Sequence, residues 1–193
     1  GAELIEVEAG DFDAAIELRD KLCKDNGWFN CNQFGDALNI DSHYYTTGPE
    51  ILAWAFENRF KIDAIVTGTG TGGTLMGLHK RIKPQFPNMK MIAVEPKESA
   101  VMSGGEPGIH GIQGIGDGSK FLVDMDNVDW ISVISTEDAK ERSRRLAKEH
   151  GLFVGISAGA NILAAERWIE EAKPKNQVVT FLCDRGDRYF SCL

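Results

Sequence analysis

From Val66 to Thr74 the chain reads Val-Thr-Gly-Thr-Gly-Thr-Gly-Gly-Thr, a run whose residue types suit the holding of an anion. Glycines permit positive φ and close backbone approach. Threonines add hydroxyl donors. A helix starting here would contribute unpaired N–H groups and a partial positive charge. Together these can hold a phosphate. The doubled Gly72-Gly73 between Thr71 and Thr74 reads as a cup, Gly70 to Thr74, around a single monoester phosphate. Two other readings stand beside it. One is a tight strand-to-helix turn with no ligand. The other is a dinucleotide loop: Gly68, Gly70 and Gly73 fit G-x-G-x-x-G, and Glu95 follows a later strand at about the 20-residue distance that motif wants. A P-loop is excluded, because no Lys-Ser or Lys-Thr follows the glycines.

The second chemical feature is Gly155-Ile156-Ser157-Ala158-Gly159. Ser157 reads as a helix N-cap or as the serine of a G-x-S-x-G elbow. The elbow needs an acid and then a histidine downstream, and the last histidine is His150, so a serine hydrolase is disfavoured. A hydroxyl here can instead bond a ligand's ring nitrogen. Asp117, in Gly116-Asp117-Gly118-Ser119, reads either as a solvated loop carboxylate or as a general base. Of the histidines, His43 reads as a structural hydrogen-bonder, His79 and His150 as helix-surface residues, and His110 as a loop residue able to approach a site mouth. None is assigned a catalytic role. Cys23, Cys31, Cys183 and Cys192 have no metal-ligand spacing and no CxxC. They read as reduced thiols, with Cys183 a buried small hydrophobe.

Alternating strand-like and helix-like segments must position these residues. Leu4–Val7 and Trp28–Cys31 read as short extended pieces, and Asp13–Lys24 as a helix. Thr47-Gly48-Pro49-Glu50 starts a helix running to about Arg59. Ile62–Val66 reads as a strand, Thr74 to Ile82 as a helix, Met89–Val94 as a strand, and 96–128 as a long functional loop. Trp130–Ile134 reads as a strand, and Ser135 caps a helix that runs to Glu149 and stops at Gly151. A helix over Gly159–Glu171 and a buried strand over Gln177–Leu182 complete the pattern. Strands alternating with helices predict an α/β fold with a mainly parallel sheet. In such sheets ligands sit beyond the carboxyl ends of the strands, where both motifs fall.

The formal charge of −8 over 193 residues disfavours nucleic acid, which needs a basic face, and likewise an anionic membrane surface. No stretch reads as a membrane span, no signal peptide is expected at Gly1-Ala2-Glu3-Leu4, and a cytoplasmic location is expected.

Taken together, the motifs resemble the cysteine synthase (O-acetylserine sulfhydrylase) and cystathionine β-synthase group of fold type II pyridoxal-phosphate enzymes. The resemblance runs in order through Asn32-Gln33-Phe34, Asn39, His43, Thr46-Thr47-Gly48-Pro49-Glu50-Ile51 and the glycine loop. It continues through Glu95-Pro96, Ser103-Gly104-Gly105, Ile112-Gln113-Gly114-Ile115-Gly116, Gly155–Ala160 and Asp187-Arg188-Tyr189. It implies a three-layer, tryptophan synthase β-like sheet, with residues 1–38 a remnant of a small domain and 39–193 the large cofactor-binding domain. It implies that Gly70, Thr71, Gly72, Gly73 and Thr74 hold the phosphate of pyridoxal 5'-phosphate and that Ser157 bonds the pyridine nitrogen. Gln33 would bind the substrate carboxylate, and Gly114 would line the mouth. The implied activity is β-replacement on O-acetylserine or O-phosphoserine with sulfide, through an aminoacrylate, to give cysteine. Cystathionine β-synthase-like chemistry or cysteine lyase β-elimination is the alternative. The implied assembly is a homodimer, with serine acetyltransferase as a possible partner and no metal. The family's S-x-K-x-R segment with the Schiff-base lysine and its S-G-N-T-type loop have no match here. The chain alone is therefore expected to be inactive, a non-catalytic phosphate-binding fragment being the further alternative, and the family's first third to lie outside these residues.

Overall fold

The computed structural model describes residues 1–8 and 11–192. Its centre is a four-stranded, wholly parallel sheet of β1 (Ile62–Gly68), β2 (Lys90–Pro96), β3 (Trp130–Ile134) and β4 (Gln177–Thr180), in the order β3-β2-β1-β4. Among the described residues six α-helices accompany it: α1 (Phe12–Asn26), α2 (Leu38–Tyr45), α3 (Thr47–Glu57), α4 (Gly73–Ile82), α5 (Thr136–His150) and α6 (Ile156–Ala172).

The central strands are apolar without alternation because both faces are covered. Ala64, Val66, Ile92 and Val94 pack with Ile156, Ala160 and Ala164 of α6 and Ala139 of α5. The intervening Ile65, Met91 and Ala93 pack with Leu52 and Ala55 of α3 and with Leu75, Leu78 and Ile82 of α4. The result is three layers. Ile65, Leu78 and Ile92 are fully buried, each worth about 1.5–3 kcal/mol of apolar transfer.

The chain goes from β1 outward to β2 and β3, then crosses by α5 and α6 to β4 on the other side of β1. The strand order therefore reverses between β1 and β4. A crevice opens at the carboxyl end of such a reversal.

Several expected boundaries differ. Leu4–Val7 and Trp28–Cys31 form no strand; Leu4 and Phe29 are largely exposed and have no strand to pair with. α2 was not expected. β4 ends at Thr180, where its pairing with Val66 ends, and its residues are only partly buried. α6 begins at Ile156 with Gly155 as N-cap, so Ser157 is a first-turn helical residue and not the cap. The early start is possible because Gly159 lies against α5, where a Cβ would stand 2.2 Å from the Ala139 carbonyl oxygen.

Candidate functional site

A cavity of about 950 Å³ opens at the strand-order reversal. Its walls bring together Gln33, Gly70, Thr71, Gly72, Thr74, Gly114, Asp117 and Ser157, from segments far apart in the chain. Gly73 lies beneath the wall, buried against Asn39.

The glycine loop leaves β1 at Gly68, whose N–H donates to Asn161 Oδ1 at 2.7 Å. Asn161, fully buried on α6, also donates through Nδ2 to the Phe181 carbonyl at 2.9 Å. One amide thus ties the end of β1 to the segment after β4. Gly72 caps α4 in the left-handed region, φ 88°, with no side-chain cap bond. Among the described residues, the N–H groups of Gly72 and Thr74 meet no protein acceptor. Free N–H groups at a helix start, beside the Thr71 and Thr74 hydroxyls, form a cluster of donors with no positively charged side chain among them. That donor set fits a phosphate monoester.

Ser157 is nine-tenths buried, and its side chain faces the same cavity from the first turn of α6. Cys183 lines the same cavity, its Sγ 3.8 Å from Asn161 Nδ2, and burial pushes that thiol up from its ordinary range. Cys183 is exposed as a residue and lines the cavity, which corrects its expected place in the core. The expectation failed because β4 stops before reaching it. Asp184 accepts a 2.5 Å bond from the Tyr189 hydroxyl, and burial, then Asp184, raises that phenol to about 12.

Asp117 is half-buried, its carboxylate 3.0 Å from where a Gly70 Cβ would stand. Burial raises its pKa, with His110 opposing. It is not the freely solvated carboxylate of the plainer reading. His110 donates from Nε2 to the Gly116 carbonyl at 3.1 Å and accepts at Nδ1 from Ile112 N–H at 3.2 Å. These two bonds tie it to its own loop and point it at an adjoining hollow.

The dinucleotide reading fails on Glu95. Its carboxylate is buried and accepts from Met102 N–H at 2.7 Å, Ser103 N–H at 3.0 Å and Ser103 Oγ at 2.5 Å. Both oxygens are engaged by the protein's own donors and the side chain is buried, so it is not presented to a ribose.

The sequence profile of the family described as "Pyridoxal-phosphate dependent enzyme" matches residues 1–184. The chain belongs to that family. Within it, the chain is 42% identical over 195 aligned positions to cysteine synthases of Staphylococcus aureus strains Mu50 and N315, covering 99% of this chain and 62% of theirs. Among solved structures it is similar to cysteine synthase (OASS) from Entamoeba histolytica, with TM-score 0.87 and 37% identity over 99% of this chain and 57% of that one. It is also similar to a hydrogen sulfide-producing enzyme from Fusobacterium nucleatum, with TM-score 0.92 and 36% identity over 100% of this chain and 59% of that one. The chain thus spans about 62% of the length of its curated relatives. The fold of this chain is the parallel-sheet fold type II arrangement of those structures.

Among the described residues there is no group of His, Cys, Asp and Glu able to hold a metal ion, and no helix long and apolar enough to cross a membrane. Asn39, Asn161, Cys183 and Asp184 are site residues to which the sequence reading gave no role in the site. The signal available for the last two was their place just after a β-strand's carboxyl end.

Proposed function

We propose that the complete protein is a cytoplasmic, homodimeric cysteine synthase that replaces the β-substituent of O-acetylserine or O-phosphoserine with sulfide. The observation that carries this reading is the single cavity that joins an uncapped, threonine-flanked helix start to a buried serine. In this reading residues 1–38 end a small domain and 39–193 form the large one. Gly70 to Thr74 hold the cofactor phosphate, and Ser157 meets the pyridine nitrogen. Pyridoxal phosphate, when bound, supplies an electron-withdrawing ring that acidifies the substrate α-carbon. A neutral serine at the ring nitrogen leaves that nitrogen unprotonated, which suits loss of a β-substituent more than transamination. Gln33 orients the substrate carboxylate at the rim, and Gly114 shapes the mouth. Serine acetyltransferase is the proposed partner.

Asp117 favours a second reading, release of hydrogen sulfide from cysteine. A carboxylate whose pKa is raised by burial sits nearer the operating pH of a general base. It can take a proton from the incoming thiol or water. The similarity to a hydrogen sulfide-producing enzyme supports the same reaction.

Product analysis of the intact protein tests both readings. O-acetylserine or O-phosphoserine with sulfide should give cysteine, whereas cysteine alone should release little sulfide. Sulfide release from cysteine that exceeds cysteine synthesis, and that falls in Asp117→Asn, would favour the second reading. Absence of any borohydride-fixable Schiff base with pyridoxal phosphate would overturn both and leave a phosphate-binding module.

A further inference from the structure

The phosphate cup is backed by a helix that the expected site residues do not include. α2 lies on α4, and the approach is close because two glycines on one face of α4 have no side chains there. A Cβ on Gly73 would stand 2.0 Å from Asn39 Oδ1. A Cβ on Gly77 would stand 2.5 Å from the Ile40 carbonyl oxygen and 2.7 Å from His43 Cβ. Asn39 and His43 are four residues apart, so they share one face of α2. That face looks at the cup.

Asn39 Nδ2 donates to the Gln33 carbonyl at 2.8 Å and to Thr71 Oγ1 at 2.9 Å. The Gln33 carbonyl can only accept, so the amide must present nitrogen on this side. Thr71 Oγ1 is therefore an acceptor towards Asn39, and its single proton is free to turn into the cavity that Thr71 lines.

His43 bridges Thr47 and Thr74. Its Nδ1 lies 2.9 Å from Thr47 Oγ1 and its Nε2 lies 3.1 Å from Thr74 Oγ1. Burial lowers its pKa, which favours the neutral ring with one donor and one acceptor. Two tautomers satisfy this chain of hydroxyls. With Nε2–H donating to Thr74, Thr47 donates to Nδ1 and the Thr74 proton is released into the cup. With Nδ1–H donating to Thr47, the Thr74 proton is consumed by His43 and a lone pair faces the cup.

We propose that Asn39 and His43 are positioning residues that turn the hydroxyl protons of Thr71 and Thr74 towards the bound phosphate. Asn39 does so permanently, and His43 does so by taking up its Nε2–H tautomer when an anion arrives. The cup then presents only donors: free backbone N–H groups and two oriented hydroxyls. This extends the phosphate-cup reading and rests on it.

The test compares dissociation constants of pyridoxal 5'-phosphate and of pyridoxal, measured by fluorescence on the intact apoprotein. The two ligands differ only by the phosphate. Wild type should prefer the phosphorylated ligand. Asn39→Asp keeps the shape but puts an acceptor opposite Thr71, and His43→Phe removes the donor to Thr74. Each should weaken pyridoxal phosphate about ten- to a hundredfold, the range for one hydrogen bond to a charged group, and leave pyridoxal binding unchanged. His43→Gln, which keeps a donor, should recover most of the loss. Nitrogen NMR of the His43 ring should show the Nε2–H form rising as inorganic phosphate is added. Equal weakening of both ligands, or no weakening of either, would overturn the proposal while the phosphate cup stands. A wild type that does not distinguish the two ligands would overturn the cup and the proposal together.

Discussion

Asn161→Leu is expected to loosen the junction from which the cofactor loop springs, by an amount the hydrogen bonds allow one to estimate. The wild-type amide is fully buried and holds Gly68 N–H at 2.7 Å and the Phe181 carbonyl at 2.9 Å. Leucine has a similar volume, so the chief loss is polar. Leaving a buried donor or acceptor unpaired costs about 1–3 kcal/mol. Both partners are only half-buried and stand beside the cavity, so water can replace part of each bond and the lower end of that range applies. The expected destabilisation is about 2–3 kcal/mol in all, a fall of about 4–12 °C in Tm. Urea unfolding followed by circular dichroism measures it. Asn161→Asp supplies the sharper control. An ionised aspartate still accepts from Gly68 but faces the Phe181 carbonyl with a second acceptor, whereas a protonated one can donate to it. Folding should therefore raise the pKa of this carboxyl. Relative to wild type, the variant should be least impaired below the ordinary carboxylate pKa and lose stability as pH rises through the raised one. A loss below about 0.5 kcal/mol for Asn161→Leu, or an Asn161→Asp deficit that does not change with pH, would refute the reasoning.

Other outcomes follow from single observations. Gly159 is helical and replacement by Ala would ordinarily stabilise a helix. Here the Cβ would meet the Ala139 carbonyl oxygen at 2.2 Å, so Gly159→Ala should instead destabilise by about 1–3 kcal/mol, and a raised Tm would contradict the close α5–α6 packing. Gly72→Ala should cost about 1–2 kcal/mol for the left-handed backbone alone, with a further clash at Val123 Cγ2, 2.5 Å away; unchanged pyridoxal phosphate affinity and Tm would sink this. In alkaline titration at 295 nm Tyr189 should ionise near 12 because burial and then Asp184 hold its proton. Its contribution to stability should be complete below pH 10 and fade between about 10 and 12, and three tyrosines titrating together would contradict it.

What the sequence made legible follows from how local its cause was. β1 and β2 were readable because burial on both faces makes them unbroken apolar runs. The helix over 136–150 was readable because Ser135 and Gly151 mark its ends, and Ser135 does accept from Asp138 N–H. α2 was not, since none of its eight residues is buried and it has no side-chain cap. It exists because Gly73 and Gly77, more than thirty residues later, admit it. Cys183 was misplaced for the same kind of reason. The apolar run continues to Leu182, yet β4 stops at Thr180 because Asn161 captures the Phe181 carbonyl and draws the chain out of the sheet. Of the site, the cup and Ser157 were visible as residue types at strand ends. The parts that orient them were not, because they act across the fold.

The helix starts show where local stability gives way to binding. α5, whose start lies away from the cavity, has a side-chain cap: Ser135 accepts from Asp138 N–H. α4 and α6, whose first turns face the cavity, begin at Gly72 and Gly155 with no side-chain cap bond. A capping serine or aspartate is worth about 0.5–2 kcal/mol to a helix relative to alanine, so its absence at both sites asks for a cause. For α6, a side chain at Gly155 would collide with Asp184 Oδ1, 2.0 Å from its Cβ position. For α4, a side chain at Gly72 would collide with Val123, and a carboxylate there would occupy the donors an anion needs. Crowding thus removes the cap, and the N–H groups left over are those a phosphate can fill. On this argument α4 should gain more than α6 when ligand binds. Hydrogen exchange at Thr74 and Leu75 should slow more on addition of pyridoxal phosphate than exchange at Ser157 and Ala158, because the dianion replaces the missing cap of α4 directly.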